Sequence, residues 1–142
     1  VNIAKSRFGF GRKYKKLYGS INRGKQRSFI MKRSDFYLIN DIKESIKSIE
    51  EYISELKNKE NFLSNRRMQK LMIYEIIMIG EAATKISIET KNNYPNINWR
   101  EISDMRNFLI HEYYEVSNNI IWETANKDIP KLKENIYSIK TE

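Results

Sequence analysis

The stretch SDMRNFLIHEYYEVS, residues 103–117, places Arg106, Asn107 and Tyr113 within seven residues of the only histidine in the chain, His111. A histidine titrates near neutrality and can both take and give a proton. Arginine offers a fixed positive fork that matches phosphate oxygens, and asparagine adds a neutral donor. Together these groups suit cleavage of RNA without a metal. The histidine would remove the ribose 2′-hydroxyl proton, the arginine would stabilise charge developing on phosphate, and a 2′,3′-cyclic phosphate would result. DNA, which lacks the 2′-hydroxyl, would be inert. A second reading stands beside this one: a lone histidine near a helix end can cap free carbonyls and answer the helix dipole. Arg106, likewise, could be an ion-pair partner of Glu101, Asp104 or a residue on a neighbouring helix.

Helical geometry constrains the first reading. At about 100° per residue, Asn107 and His111 share one face, whereas Arg106 and His111 stand about 140° apart. An undistorted helix does not aim both at one phosphate. Either the helix ends or distorts near His111, or the site is assembled from two copies of the chain.

The elements that must position these groups are helical. Leu38, Ile42, Ile46, Ile49, Ile53 and Leu56 recur at steps of three and four, with Ser34 or Asp35 available as a cap, and predict a first helix ending near Lys57. A second is predicted over residues 66–90, with Leu71, Ile73, Ile76, Ile77 and Ile79 apolar and the small residues Gly80, Ala82 and Ala83 open to close approach. The segment KNNYPNIN, residues 91–98, breaks the chain. A third helix starts near Trp99 and carries Ile102, Met105, Phe108 and Leu109. A fourth begins after Ser117, with Pro130 inside it as a kink. Trp99 and Trp122 are expected to pack. No segment alternates as a strand would, so the predicted fold is all-α, an antiparallel up-and-down four-helix bundle.

Composition narrows the function classes. The 142 residues suffice for one core, and the chain has no cysteine, which removes disulfides and thiolate metal sites and fits a reducing cytoplasm. With one histidine, no metal and no cofactor are expected. The longest apolar run, LMIYEIIMIG at residues 71–80, is interrupted by Glu75 and is about half the length of a membrane span. The net charge of +8 is unevenly placed: residues 1–30 hold 9 of the 26 Lys and Arg and none of the 18 Asp and Glu, giving +9 there and −1 over residues 31–142. Residues 1–30 are expected to be a disordered basic extension preceding a helical domain over residues 31–142. The run MKRSDFYLIND at Met31 looks like an ordinary protein start, so the extension is read as a start-site artefact or dispensable. An RNA-contacting arm and a targeting leader are the alternatives.

The run from Arg106 to Tyr113 resembles the Arg-x4-His-x-Tyr motif of HEPN-domain toxins of the HepT subfamily, which pair with minimal nucleotidyltransferase antitoxins. IGEAATKIS, residues 79–87, is similar to that family's Gly-Glu-Ala-Ala segment. YPNINWREISDMRN, residues 94–107, resembles its approach to the motif, and IIWETANKDIPKL, residues 120–132, its last helix. The resemblance covers about residues 34–139 in the family's order. It implies the bundle expected above, a homodimer that brings two motifs together in a cleft, and a toxin ribonuclease with Arg106 and His111 catalytic and Asn107 supporting. It also implies that Tyr113 is the hydroxyl to which the antitoxin transfers AMP, which would block RNA by bulk and like charge. Tyr114 follows directly, so a second hydroxyl stands beside the motif's own. Glu81 could orient Arg106 or simply pair with a basic residue between helices. The alternatives to a toxin ribonuclease are a non-catalytic helical dimer that partners a nucleotidyltransferase and an RNA binder acting through the basic tail. Local positive charge would have to come from Arg66, Arg67, Lys70, Arg100 and Arg106 if folding groups them.

Overall fold

The structure, a computed structural model, describes residues 29–141. The chain falls into two units, Val1–Ile30 and Met31–Glu142, and the fold below is that of the second. The basic extension expected over residues 1–30 lies almost wholly outside the described range.

Four helical rods make the bundle: α1 (Arg33–Leu56), α3 (Arg66–Lys85), α5 (Trp99–Glu112) and a last rod built from α6 (Asn118–Glu123), a π-helical turn (Thr124–Asp128) and α7 (Ile129–Tyr137). Short helices α2 (Lys59–Leu63) and α4 (Ile88–Asn93) fill the first two connections. The fold is all-α, as the periodicity predicts. Neighbouring rods run antiparallel. Tyr52 of α1 meets Glu75 of α3 while Asp35 meets Ser87, and Glu50 meets Lys133 of α7 while Lys43 lies over the Tyr137 ring. The core is drawn from one stripe of each rod, with Ile39, Ile42, Ile46 and Ile49 of α1 against Met72, Ile76 and Ile79 of α3 and Ile121 and Ile136 of the last rod. Methionines therefore carry part of the core where the isoleucine and leucine pattern alone points to Leu71 and Ile73, which are only half-buried. Trp99 is buried and donates its indole N–H to the Tyr94 carbonyl at 3.1 Å, and Trp122 stacks on Phe62, so both tryptophans pack.

Three boundaries differ from the sequence expectation, each for a local reason. The predicted second helix does not run to residue 90: Ile86 is extended, and the Ser87 side chain accepts from the Thr90 N–H to start α4. Neither Ser34 nor Asp35 caps α1, whose N-cap is Lys32 with no side-chain bond. Asp35 is instead buried and accepts from the Ser87 N–H (3.1 Å), the Ser87 hydroxyl (2.5 Å) and the Thr90 hydroxyl (2.6 Å). A capping-type residue has turned inward to tie the start of α1 to the α3–α4 break. Pro130, finally, does not sit in a continuous α-helix. It stands in the first turn of α7, and the Ile129 N–H reaches back to the Thr124 carbonyl across a widened turn. A proline cannot donate to its preceding turn, so the rod accommodates it by a π turn.

Desolvation by burial pulls the Lys91 ammonium below its usual range, against the pull of Asp35. The Asp35 carboxylate is held by three neutral donors, the Ser87 amide and the Ser87 and Thr90 hydroxyls. Asp35→Ala should lower stability by about 3 kcal/mol, because two hydroxyls and an amide lose a buried acceptor; the shift of the urea midpoint at constant slope measures it.

Candidate active site on helices α3 and α5

The site is built where α5 lies closest to α3. Asn98 caps α5 by accepting from the Glu101 N–H at 3.1 Å and returns a bond to the Glu101 carboxylate at 3.0 Å. From this start Ile102, Met105 and Leu109 face inward, Leu109 being fully buried. The stem of Arg106 lies flat on Gly80. A β-carbon at position 80 would stand 2.2 Å from Arg106 Cβ and 2.8 Å from its Cγ. Only glycine permits this contact.

Held there, the guanidinium is oriented from two sides. Arg106 Nε donates to Glu81 Oε1 at 2.7 Å, and Nη1 donates to Asn107 Oδ1 at 2.7 Å. The ion pair is sheltered, with the Arg106 side chain 17% exposed and that of Glu81 27%. A pair so placed loses to desolvation much of what attraction gives. Its main effect is therefore to fix where the fork points. Of the five N–H groups of an arginine, both on Nη2 make no hydrogen bond among the described residues, and they remain available to an anion.

Arg106 thus pairs with a residue of the neighbouring helix. Glu101 is engaged by Asn98, and Asp104 lies 3.9 Å from Arg100. Glu81 pairs with a basic residue between helices, and that residue is Arg106.

His111 is placed differently. It is exposed in the last turn of α5, and its ring makes no hydrogen bond or ion pair among the described residues, so it caps no carbonyl through a side-chain bond. The helix continues as a regular α-helix through Glu112, which removes the possibility that distortion turns His111 toward Arg106. Within one copy the structure joins Glu81, Arg106 and Asn107 by hydrogen bonds, while His111, one turn beyond Asn107 on the same face, is bonded to none of them. Tyr113 and Tyr114 follow in the turn that ends α5, 59% and 71% exposed, their rings edge to face at 5.8 Å. Both residues are exposed. Among the described residues no three His, Cys, Asp or Glu side chains are grouped as metal ligands, and no helix is long and apolar enough to cross a membrane.

An all-helical bundle presenting an arginine and a histidine five positions apart, followed by a tyrosine, is of the HEPN-like kind. Residues 42–139 match the family described as Ribonuclease HepT-like, and the chain belongs to that family. It is 41% identical over 103 residues to the "Probable ribonuclease HepT" of Thermococcus cleftensis, covering 72% of this chain and 93% of the relative. It is 40% identical over 104 residues to a longer protein of Methanocaldococcus jannaschii named "Gamma-glutamylcyclotransferase and putative RNase"; the match covers 73% of this chain but 46% of that protein, so the chain spans about half its length. No solved structure gives a significant match.

Replacing glycine by alanine inside a helix ordinarily stabilises by about 1 kcal/mol. Here the collision with Arg106 Cβ should reverse the sign, and Gly80→Ala should destabilise by about 2 kcal/mol as α5 is pushed off α3. The shift of the urea midpoint at constant slope measures it, and a shift to higher urea would mean that the helix propensity gained outweighs the collision.

Proposed function

We infer that this protein is the toxin of a toxin and antitoxin pair, a metal-independent endoribonuclease acting in the cytoplasm. The observation that carries the reading is the held guanidinium of Arg106, bonded to Glu81 and Asn107 with the Nη2 N–H groups making no hydrogen bond among the described residues. Such a group is preorganised for a phosphate and needs no rearrangement when charge develops there. His111, exposed and unbonded, serves as the base. It takes the proton of the ribose 2′-hydroxyl, the 2′-oxygen attacks phosphorus, the 5′-oxygen leaves and takes up a proton, and a 2′,3′-cyclic phosphate remains.

The regular course of α5 supports a site shared between two copies. Arg106 and His111 stand about 140° apart on one helix, so a homodimer that faces two α5 helices across a cleft supplies to one phosphate what a single copy divides. Tyr113, at the motif spacing, is the proposed acceptor of AMP from a minimal nucleotidyltransferase antitoxin. An adenylyl group there would bring bulk and negative charge to the place an RNA phosphate must occupy. The exposure of Tyr113 is compatible with this role, and that of Tyr114 is equally so.

The test is incubation of the purified chain with total cellular RNA in EDTA, with end analysis of the products. Cleavage leaving cyclic phosphate is expected, and His111→Ala should slow it by about 10²–10⁴-fold, the range of a lost general base. Glu81→Gln should lower kcat by at least about tenfold while leaving the fold intact, because a fork displaced by a fraction of an ångström no longer meets the phosphate. Absence of cleavage by protein shown to be dimeric and free of AMP would sink the reading. With an added nucleotidyltransferase and ATP, AMP should be found on Tyr113 by peptide mass and be lost in Tyr113→Phe.

A further inference from the structure

Helix α3 has three sides. Glu75 faces α1, where it accepts from the Tyr52 hydroxyl at 3.2 Å, and Gly80 faces α5. The remaining side is open. Along it, at helical steps of four, four, three and four residues, stand Arg66, Lys70, Tyr74, Ile77 and Glu81. Arg66 and Lys70 are exposed, Tyr74 is 55% exposed, and Glu81 closes the stripe by holding Arg106. Arg67 borders it, and Arg66, Arg67, Lys70 and Leu71 line one open groove.

Stability gives no reason for these cations. Arg66 and Arg67 occupy the first turn of α3, where the helix dipole favours acids, and that turn has none. Arg66 and Lys70 are four apart, the spacing at which like charges repel. Among the described residues none of the three forms an ion pair or a side-chain hydrogen bond. Arg100, by contrast, lies at the start of α5, off the stripe and near Asp104. Three uncompensated cations beside an exposed aromatic ring are what a flexible polyanion with stacking bases would use.

We propose that this side of α3 is a track for single-stranded RNA leading to Arg106. Arg66 and Lys70, with Arg67 alongside, take backbone phosphates, Tyr74 stacks a base, and the strand continues to the phosphate held by Arg106. From residue 66 to residue 81 the track is about 22 Å long, at 1.5 Å per residue. The direction of α5 fits the track. Gly80 meets Arg106 while the Thr84 hydroxyl lies against Ser103, so the chain running on from Arg106 to His111 travels back along α3 toward the Tyr74 end. The proposal rests on the ribonuclease reading for its direction but not for its test.

The full chain carrying His111→Ala binds without cleaving, so it is titrated with a labelled single-stranded RNA between 50 and 200 mM salt, values chosen as those over which phosphate contacts report most strongly. Adding Arg66→Gln and Lys70→Gln should reduce the slope of log K against log salt by about 1.4, two phosphates at about 0.7 each. The tail's charge is the same in both proteins and cancels in the comparison. In parallel, RNA containing 4-thiouridine is photocrosslinked to the His111→Ala chain, and the adduct is expected on residues 71–85, the tryptic peptide that contains Tyr74. This second readout needs no change on α3. An unchanged slope, or adducts confined to other peptides, would overturn the track and leave the cations to an acidic protein partner. An adduct at residues 71–85 without cleavage by the unaltered chain would uphold the track and sink the nuclease; cleavage with no such adduct would do the reverse.

Discussion

Position 80 can hold no side chain, and the rest of the site follows from that. Helices normally pack 8–10 Å apart because side chains separate them. Where one contributes only a hydrogen, the other can lay a long side chain's stem along its backbone. Arg106 does this on Gly80, which puts its guanidinium within 2.7 Å of the carboxylate one residue further along α3. Glycine and glutamate at 80 and 81 thus act as one device: the first sets the depth of the arginine stem and the second sets the heading of its fork. Asn107, next to the arginine in sequence, bonds to it from the outer side. A rigid cation at a half-buried position, with part of its donor set unspent, is the result.

How much of this was legible in the sequence differs from residue to residue. The rods were legible because apolar residues recur at three and four; the asparagines at 65 and 98 that cap α3 and α5 carried the same signal and were passed over in the sequence. The small residues at 80, 82 and 83 announced a close approach, although not that the visitor would be the stem of Arg106. Pairing across helices depends on rotation and depth, which one-dimensional spacing does not encode. Asp35 was misleading for a related reason. At a helix start it has the chemistry of a cap, and only the arrival of Ser87 and Thr90 from more than fifty residues away makes it a buried acceptor. The break at Ile86 belongs to the same contact: α3 stops where its following residues turn to meet Asp35. Glu81 was visible as an acid between small residues, while the openness of Tyr74 had no sequence signal, since an aromatic in an apolar run reads as core.

Charge is distributed in the same economical way. Over residues 31–142 the balance is −1, yet Arg66, Arg67 and Lys70 line one groove and none of them forms an ion pair among the described residues. Several cations elsewhere are matched: Lys32 with Glu89, Lys127 with Glu123, Lys133 with Glu50. Hydrogen bonding to Glu123 and to Glu50 raises the Lys127 and Lys133 ammonium groups above their usual range, and Lys127 in turn lowers Glu123. These exposed pairs contribute little to stability. They do remove competing sites for an anion, so local potential can be positive on a domain whose total charge is not.

The π turn at Thr124–Asp128 also fixes the phase of the last rod. Ile121 before it, Ala125 within it and Ile129 and Ile136 after it all reach the core, and the widened turn makes room for the proline. Helix phase is counted in whole residues, and one residue is worth about 100° of rotation. In a lineage of such chains the rod could therefore gain or lose a residue at this point only by turning Ile136 and Ile139 out toward solvent. The widened turn is a register mark, and length variation in the family of folds built this way should collect in the loops on either side of the rod rather than within it.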